Sequence, residues 1–248
     1  RLTLWKAYMK FGFEELDYQE TALGDISLRR RAEPRLNGKI LYEVKLNDEF
    51  LMSSLFTEAE IQLSRLGLAA LEGSELDVVV GGLGLGYTAE AALECPAVRS
   101  LLVVDVMEPV IRWHEEGLVP LGEVLTADSR CSLIHADFFH VATAPEVGFD
   151  GSDNPQKVHA VLLDIDHSPS NWLNPGNGDF YTVEALRAMA EKIHSGGIFG
   201  LWSNDAPEPE FLALLDSVFE SSVSHLVSFP NPYTGEESFN SVYLARKA

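Results

Sequence analysis

The chain has 248 residues, 46% of them hydrophobic, which is enough to bury one large core or a large core with a small satellite domain. Its formal net charge is −20, from 38 acidic against 18 basic residues. Because such a surface repels phosphate backbones and anionic lipid, we expect neither nucleic acid nor a membrane as a partner. No stretch reaches the ~18–20 consecutive apolar residues of a membrane span, and residues 1–18 are too mixed in composition to predict a signal peptide.

The two cysteines, Cys95 and Cys131, cannot build a multi-bridge disulfide framework, and their spacing is not that of a metal site. We therefore expect a reducing, cytoplasmic setting and no metal. The acidic surface would favour a cationic small molecule, although a role in solubility alone also explains it.

Residues 15–56 have the pattern of β-structure. The segment TALGDISLRRR contains a Gly-Asp turn signal, and KILYEVKLNDEFLM alternates around Asn47 and Asp48, which is typical of a hairpin. The sequence therefore predicts a small N-terminal β-strand domain over residues 1–56.

A helix is predicted next, in the segment TEAEIQLSRLGLAALEG. Thr57 and Glu60 have the spacing of a capping box, in which the two side chains satisfy the first free N–H groups of a helix. Gly73 is a typical stop signal, so the helix is expected to end near it.

The pattern then changes to short, nearly continuous apolar runs, most of them separated by helical patterns. These runs cover residues 76–82, 99–106, 131–139, 159–166 and 196–205. Apolar strands that alternate with helices are typical of a parallel sheet covered on both faces. The last segment, SHLVSFPNPYTGEESFNSVYLARKA, predicts an antiparallel edge pair. Residues 57–248 are therefore predicted to form a Rossmann-like, doubly wound α/β domain with a mostly parallel sheet.

The stretch VVVGGLGLGYTAEAALE joins the first of these strands to a helix. Gly82, Gly84 and Gly86 form a G-x-G-x-G in the strand-to-helix context that a nucleotide-binding loop needs. Without side chains, backbone N–H groups can lie directly against a ligand at the start of the helix. A tight turn with no ligand is the alternative.

Acidic residues follow the next two strands. Asp105 comes 19 positions after Gly86, the spacing at which doubly wound folds bind ribose hydroxyls, and Asp137 is placed to meet an adenine amino edge. Trp202, at the end of the fifth strand, is a candidate to close the crevice. NAD-type dinucleotides need G-x-G-x-x-G, which the residues after Gly84 do not provide, so an S-adenosyl nucleoside fits better.

The fourth strand runs into LLDIDHSPSNW. On a strand, Asp164 and Asp166 would face one way and form a catalytic pair that holds a cation or takes a proton from an amine. His167, Trp172 and Tyr181 are candidates for the substrate pocket, where aromatic rings would face a cation. The alternatives are a polar loop, ordinary aromatic packing, or a metal site at Asp166 and His167, for which no third ligand has suitable spacing.

With these residues, the chain resembles the spermidine synthase family of polyamine aminopropyltransferases, which has the class I S-adenosylmethionine-dependent methyltransferase-like fold. The resemblance covers roughly residues 15–205. It is carried by Asp17-Tyr18-Gln19, Asn47-Asp48-Glu49-Phe50, the glycine loop, Asp105, Asp137 and Asp164.

The resemblance implies a small N-terminal β domain that often mediates oligomers, here a homodimer. It also implies that decarboxylated S-adenosylmethionine is the donor and that its aminopropyl group moves to a diamine. It also implies roles for single residues. Gln19 and Asp105 would touch the nucleoside, Asp137 would face the adenine, and Asp164 would deprotonate the attacking amine.

The departures from the family lie mostly where it recognises amines. The family loop is Gly-Gly-Gly-Asp-Gly-Gly, and Gly84 occupies the slot of the aspartate that helps to hold the amino end of the transferred chain. Met52-Ser53 replaces a Tyr-Gln pair. The family's second acid would fall at His167, with Asp166 one position early.

A glycine at position 84 leaves room for the carboxylate of ordinary S-adenosylmethionine. The sequence therefore favours a transferase that uses this cofactor to methylate or alkylate a small, amine-containing, cationic acceptor. One alternative is a true polyamine aminopropyltransferase that uses the decarboxylated cofactor. Another is a non-catalytic nucleoside-binding scaffold. Either enzyme would supply alignment, exclusion of water and a deprotonated nucleophile.

Overall fold

The structure, a computed structural model, describes residues 12–47 and 49–248. A four-stranded antiparallel sheet comes first, with its strands side by side in chain order. The strands are β1 (Phe13–Thr21), β2 (Gly24–Glu33), β3 (Lys39–Leu46) and β4 (Glu49–Ser53). Pairing of Leu46 with Glu49 confirms the predicted hairpin. Asp48, predicted in its turn, lies outside the described residues, as do residues 1–11 of the predicted N-terminal domain.

Helix α1 (Glu58–Ala69) differs from its prediction at both ends. Thr57 stands at the N-cap, but its side chain makes no capping hydrogen bond, and Glu60 lines a cavity instead. The predicted capping box is therefore wrong. The helix also ends at Ala69, before Gly73, which lies in the following turn with a φ of 99°.

A seven-stranded sheet contains the rest of the strands. They are β5 (Leu76–Gly81), β6 (Val98–Asp105), β7 (Cys131–His135), β8 (Val158–Leu163), β9 (Ile193–Ser203), β10 (Ser221–Pro230) and β11 (Glu237–Arg246). The order across the sheet is β10-β11-β9-β8-β5-β6-β7. Strands β5 to β9 are parallel, and β10 and β11 form an antiparallel pair at one edge. This confirms the predicted Rossmann-like, mostly parallel sheet.

Within the described ranges, six further helices connect and cover these strands. They are α2 (Tyr87–Leu93), α3 (Glu108–Glu115), α4 (Gly122–Ala127), α5 (Phe138–Thr143), α6 (Val183–Ala190) and α7 (Pro209–Asp216). Short 3₁₀ helices occur at Pro34–Leu36 and Pro175–Phe180. Across the described ranges, no helix is long and apolar enough to cross a membrane.

One hydrophobic core joins the two sheets. Ile26 and Val44 of the N-terminal sheet belong to the same buried cluster as Leu63 of α1 and Val80 of β5. The boundary predicted between residues 56 and 57 falls in the link between β4 and α1, but the core is continuous across it. This packing brings the N-terminal sheet over the carboxyl ends of the parallel strands.

Candidate functional site

A cavity lies at the carboxyl ends of the parallel strands, the edge at which open α/β sheets bind ligands. The glycine loop, the ends of β6 and β8 and the N-terminal sheet contribute its wall. Its empty volume is about 1290 Å³ with the open mouth included.

The glycine loop lines this cavity with Gly82, Gly84 and Gly86, all at positive φ. A Cβ at Gly82 would lie 2.1 Å from the carbonyl oxygen of Asp164, and one at Gly84 would lie 2.6 Å from the sulfur of Met52. The positive φ favours glycine at both positions, and at Gly82 the Asp164 backbone also leaves no space for a side chain. An aspartate at position 84 does not fit while Met52 occupies the adjacent space, so these two departures from the family are physically linked.

Asp105 lies half-buried on the cavity wall, at the end of β6. Its Oδ2 accepts a hydrogen bond from the Leu83 backbone N–H (2.8 Å) and its Oδ1 accepts one from the Met107 N–H (2.7 Å). Burial raises the pKa of this carboxyl group, and the backbone hydrogen bonds oppose that rise. Asp105 thus holds the glycine loop against the strand end. Its contact with a ribose stays a prediction.

We expect Asp105→Asn to weaken the binding of 5′-methylthioadenosine about 10- to 100-fold. The amide keeps only one acceptor oxygen and turns an NH₂ group towards a backbone donor, and a hydrogen bond to a charged group is worth roughly 1.5–3 kcal/mol. Isothermal titration calorimetry measures the affinity, and thermal unfolding checks the fold. Parental affinity in the folded variant would mean that the nucleoside does not bind at this strand end.

Asp137 also lies on the cavity wall, at the start of α5. Its Oδ1 accepts hydrogen bonds from the N–H groups of Phe139 (2.9 Å) and His140 (3.4 Å), as an N-cap residue does. This cap begins a helix at Phe138, and the third strand therefore ends before the predicted residue 139. That Asp137 faces an adenine stays a prediction.

Asp164 directly follows β8 and lies half-buried on the wall of the cavity. Its Oδ2 accepts a hydrogen bond from the Thr88 hydroxyl (2.8 Å), and its backbone N–H donates to the carbonyl of Gly81 (2.7 Å). Burial raises the pKa of the Asp164 carboxyl group to about 6. At neutral pH the group is therefore mostly ionised, yet basic enough to accept a proton.

Asp166 does not face the cavity with Asp164, contrary to the prediction. Strand β8 ends before both residues, so the alternation of a strand does not apply to them. The Asp166 side chain is buried; its Oδ1 accepts hydrogen bonds from Leu173 N (2.7 Å) and Asn177 Nδ2 (2.8 Å), and its Oδ2 accepts one from the Tyr181 hydroxyl (2.8 Å). Asp166 thus organises the loop that follows β8.

The three predicted substrate residues are placed differently. His167 lines the cavity, but Trp172 and Tyr181 do not. Their rings stack on each other with centroids 6.5 Å apart, and the Trp172 indole N–H donates to the Pro169 carbonyl (2.8 Å). These aromatic residues therefore pack within the loop. Among the described residues, no group of three or more His, Cys, Asp or Glu is arranged to hold a metal ion.

Gln19 does not lie on the cavity wall either, although the resemblance implies a contact with the nucleoside. Its side-chain amide donates to Asp17 Oδ1 (3.0 Å). Asp17 Oδ2 accepts hydrogen bonds from the Trp113 indole (2.6 Å) and the Arg112 guanidinium (2.8 Å). These contacts turn this part of β1 towards α3 and connect it to the larger domain.

The main site residue that the sequence analysis missed is Glu60, because the capping-box pattern already accounted for it. Helix α1 packs against α2 through Ser64, whose hydroxyl donates to the Thr88 carbonyl (2.6 Å), and this packing turns Glu60 into the cavity. Burial, and then the charge of Asp164, raise the pKa of Glu60 well above its usual range. Burial and the Glu60 charge raise the pKa of the neighbouring Tyr87 to about 12.

Apolar side chains form much of the remaining wall. Leu23, Leu46, Leu51 and Met52 come from the N-terminal sheet, and Trp202 comes from the end of β9, as predicted for a residue that closes the crevice. A wall of this kind excludes water, and electrostatic interactions inside it are stronger than at the surface.

No protein-family model matches the chain. Its structure is similar to that of a spermidine synthase solved in complex with the transition-state analogue AdoDATO, with a TM-score of 0.71 and 14% sequence identity over 94% of this chain and 74% of that one. It is also similar to a spermidine synthase from Thermotoga maritima, with a TM-score of 0.69 and 14% identity over 94% and 72% of the two chains. At such low identity the likeness concerns architecture. The chain therefore has a spermidine synthase-like fold, with a small antiparallel sheet ahead of a Rossmann-like domain of the methyltransferase type.

Proposed function

We propose that the protein transfers an aminopropyl group from a decarboxylated S-adenosyl sulfonium nucleoside to a small amine. The observation that carries this proposal is the position of Asp164: a carboxyl group on the cavity wall, beside the glycine loop, whose pKa burial raises to about 6. A group of this basicity suits the deprotonation of an amine near neutral pH. The solved spermidine synthase that holds AdoDATO supports the same chemistry.

The reaction is a displacement at carbon. The entering amine gives a proton to Asp164, and its freed lone pair attacks the carbon next to the sulfonium. The new C–N bond forms as the C–S bond breaks, and the bonding pair leaves with sulfur as a neutral thioether. The enzyme contributes alignment of the two reactants in a water-poor cavity and removal of the proton. The glycine loop, Asp105 and Asp137 would hold the nucleoside.

The structure also bears on the choice of donor. A glycine at position 84 would leave room for the carboxylate of ordinary S-adenosylmethionine, but the Met52 sulfur lies 2.6 Å from the point where a Cβ at this position would be. In this conformation, the Met52 side chain takes up part of the space expected from the glycine. This favours a donor without the carboxylate.

Methyl transfer from ordinary S-adenosylmethionine is a second candidate, and one observation favours it. Gly84 removes the loop carboxylate that would repel the carboxylate of that cofactor. Backbone N–H groups of the loop would then receive the cofactor carboxylate.

The two candidates release different products, which gives a direct test. The protein is incubated with each donor and with a panel of diamines, polyamines and smaller amines, and products are identified by mass spectrometry. We expect 5′-methylthioadenosine and an aminopropylated amine from the decarboxylated donor. S-adenosylhomocysteine with a methylated amine would establish the second candidate. Nucleoside binding without any alkylated product would leave a binding scaffold as the function.

A further inference from the structure

Two carboxyl groups from different elements face the cavity, Glu60 from α1 and Asp164 from the end of β8. Asp164 has the Thr88 hydroxyl as a donor. For Glu60, within the part of the chain that the structure describes, burial and the charge of Asp164 are what act on the carboxyl group, and no donor or cation offsets them. A carboxylate without a partner in a water-poor site is unfavourable. A positively charged ligand group would relieve this.

The position of Glu60 relative to the glycine loop is fixed by helix packing. Ser64 and Thr88 join α1 to α2, and α2 begins directly after the loop. The Thr88 hydroxyl also lies 3.4 Å from the backbone carbonyl of Glu60. Glu60 and Gly84 thus line the same cavity, and position 84 itself carries no acid.

We propose that Glu60 binds the amino group of the transferred chain and so selects a sulfonium donor that lacks the carboxylate. This inference rests on the proposed function. Glu60 would supply from α1 the negative charge that the loop lacks at Gly84, and Asp164 would stay available to the acceptor amine. The carboxylate of ordinary S-adenosylmethionine would lie beside Glu60 and be repelled by it.

The pKa shifts of the groups on this wall agree with this division of roles. Burial raises the pKa of both Glu60 and Asp164, and the charge of Asp164 adds to the rise at Glu60. Tyr87 stays neutral because burial and the charge of Glu60 raise its pKa to about 12. Burial and the charge of Asp164 therefore favour a proton on Glu60 until a cation replaces it. An ammonium group would take that place.

The test compares three probes by isothermal titration calorimetry: decarboxylated S-adenosylmethionine, ordinary S-adenosylmethionine, and 5′-methylthioadenosine, which has neither amino group nor carboxylate. The variant is Glu60→Gln. The matched control is Glu58→Gln, on the same helix, where Glu58 accepts a hydrogen bond from Gln62 (3.0 Å) and does not line the cavity. Both variants remove the same charge.

In Glu60→Gln we expect the preference for the decarboxylated donor over the ordinary one to fall at least tenfold, with the affinity for 5′-methylthioadenosine within about twofold of the parent. The control should keep the parental preference. An unchanged preference in Glu60→Gln, with 5′-methylthioadenosine still bound, would overturn the role of Glu60 and leave the proposed function intact. If the parent binds none of the three probes, the proposed function fails, and this inference fails with it.

A stability measurement shows that Glu60→Gln is folded and tests the placement independently. A carboxyl group whose pKa is raised by folding contributes stability that is present below its unfolded pKa and lost as the pH rises through the folded value. The amide that replaces the carboxyl group in the variant cannot ionise, so the unfolding free energy of the variant relative to the parent should increase as the pH rises above about 4, the usual pKa of a glutamate. A difference independent of pH would mean that Glu60 is solvated, and would overturn the proposal.

Discussion

Asp164→Asn is expected to lower turnover by about 10²–10⁴ while nucleoside binding persists, because the amide keeps the shape of the side chain but cannot accept a proton. The amine acceptor is mostly protonated in neutral water and has no lone pair until a base removes the proton. Steady-state kinetics with a reactive amine from the panel measures the loss, and calorimetry with 5′-methylthioadenosine measures retention of the nucleoside.

The pH profile provides a second readout of the same role. In the parent, kcat/KM should fall as the pH is lowered through about 6, since protonated Asp164 cannot act as a base. The residual activity of Asp164→Asn should lack this step. If the variant turned over at the parental rate, Asp164 would not be the base. His167, the other predicted residue on this part of the wall, would then be the next candidate.

Asp166→Ala is expected to affect stability more than chemistry, and to lower the free energy of unfolding by roughly 2–4 kcal/mol. The substitution leaves a backbone N–H, the Asn177 amide and the Tyr181 hydroxyl without their shared acceptor, and an unsatisfied buried donor costs about 1–3 kcal/mol before water relieves part of it. Urea denaturation measures the change. Tyr181→Phe removes one of the three bonds to this carboxyl group and should cost about 1.5–3 kcal/mol.

The two aspartate variants distinguish chemistry from loop organisation. Asp164→Asn should lose most of its turnover and stay stable. Asp166→Ala should be less stable, with activity reduced only as far as the loop after β8 shifts His167. If Asp166→Ala kept full stability and lost turnover as Asp164→Asn does, Asp166 would act on the substrate, contrary to its buried position.

The fold and one edge of the site were predictable because they depend on local sequence patterns that do not change with tertiary packing. Continuous apolar runs located the five parallel strands, and a glycine motif between a strand and a helix located the loop. The carboxyl ends of parallel strands meet at one edge of the sheet, and this brings Asp105, Asp137 and Asp164 to the same cavity. The position of each acid directly after a predicted strand was therefore enough to predict that the three lie in one site.

The direction of single side chains outside the strands was not predictable, because tertiary hydrogen bonds decide it. Asp166 turns inwards because three donors from the following loop surround it. Gln19 is held by Asp17, which itself bonds to α3. Glu60 had a local explanation in the capping-box pattern, and only the packing of α1 on α2 shows that the explanation does not apply.

The N-terminal sheet limits how this protein can change during evolution. Leu46 belongs to the shared hydrophobic core and also lines the cavity, and Leu51 and Met52 pack against that core from the same wall. A substitution that reshapes the pocket for a new acceptor therefore alters the folding free energy at the same time. New specificities in this lineage would have to be accompanied by compensating changes on α1 or the neighbouring strands, and a sheet transplanted from a relative would need the matching core positions to come with it.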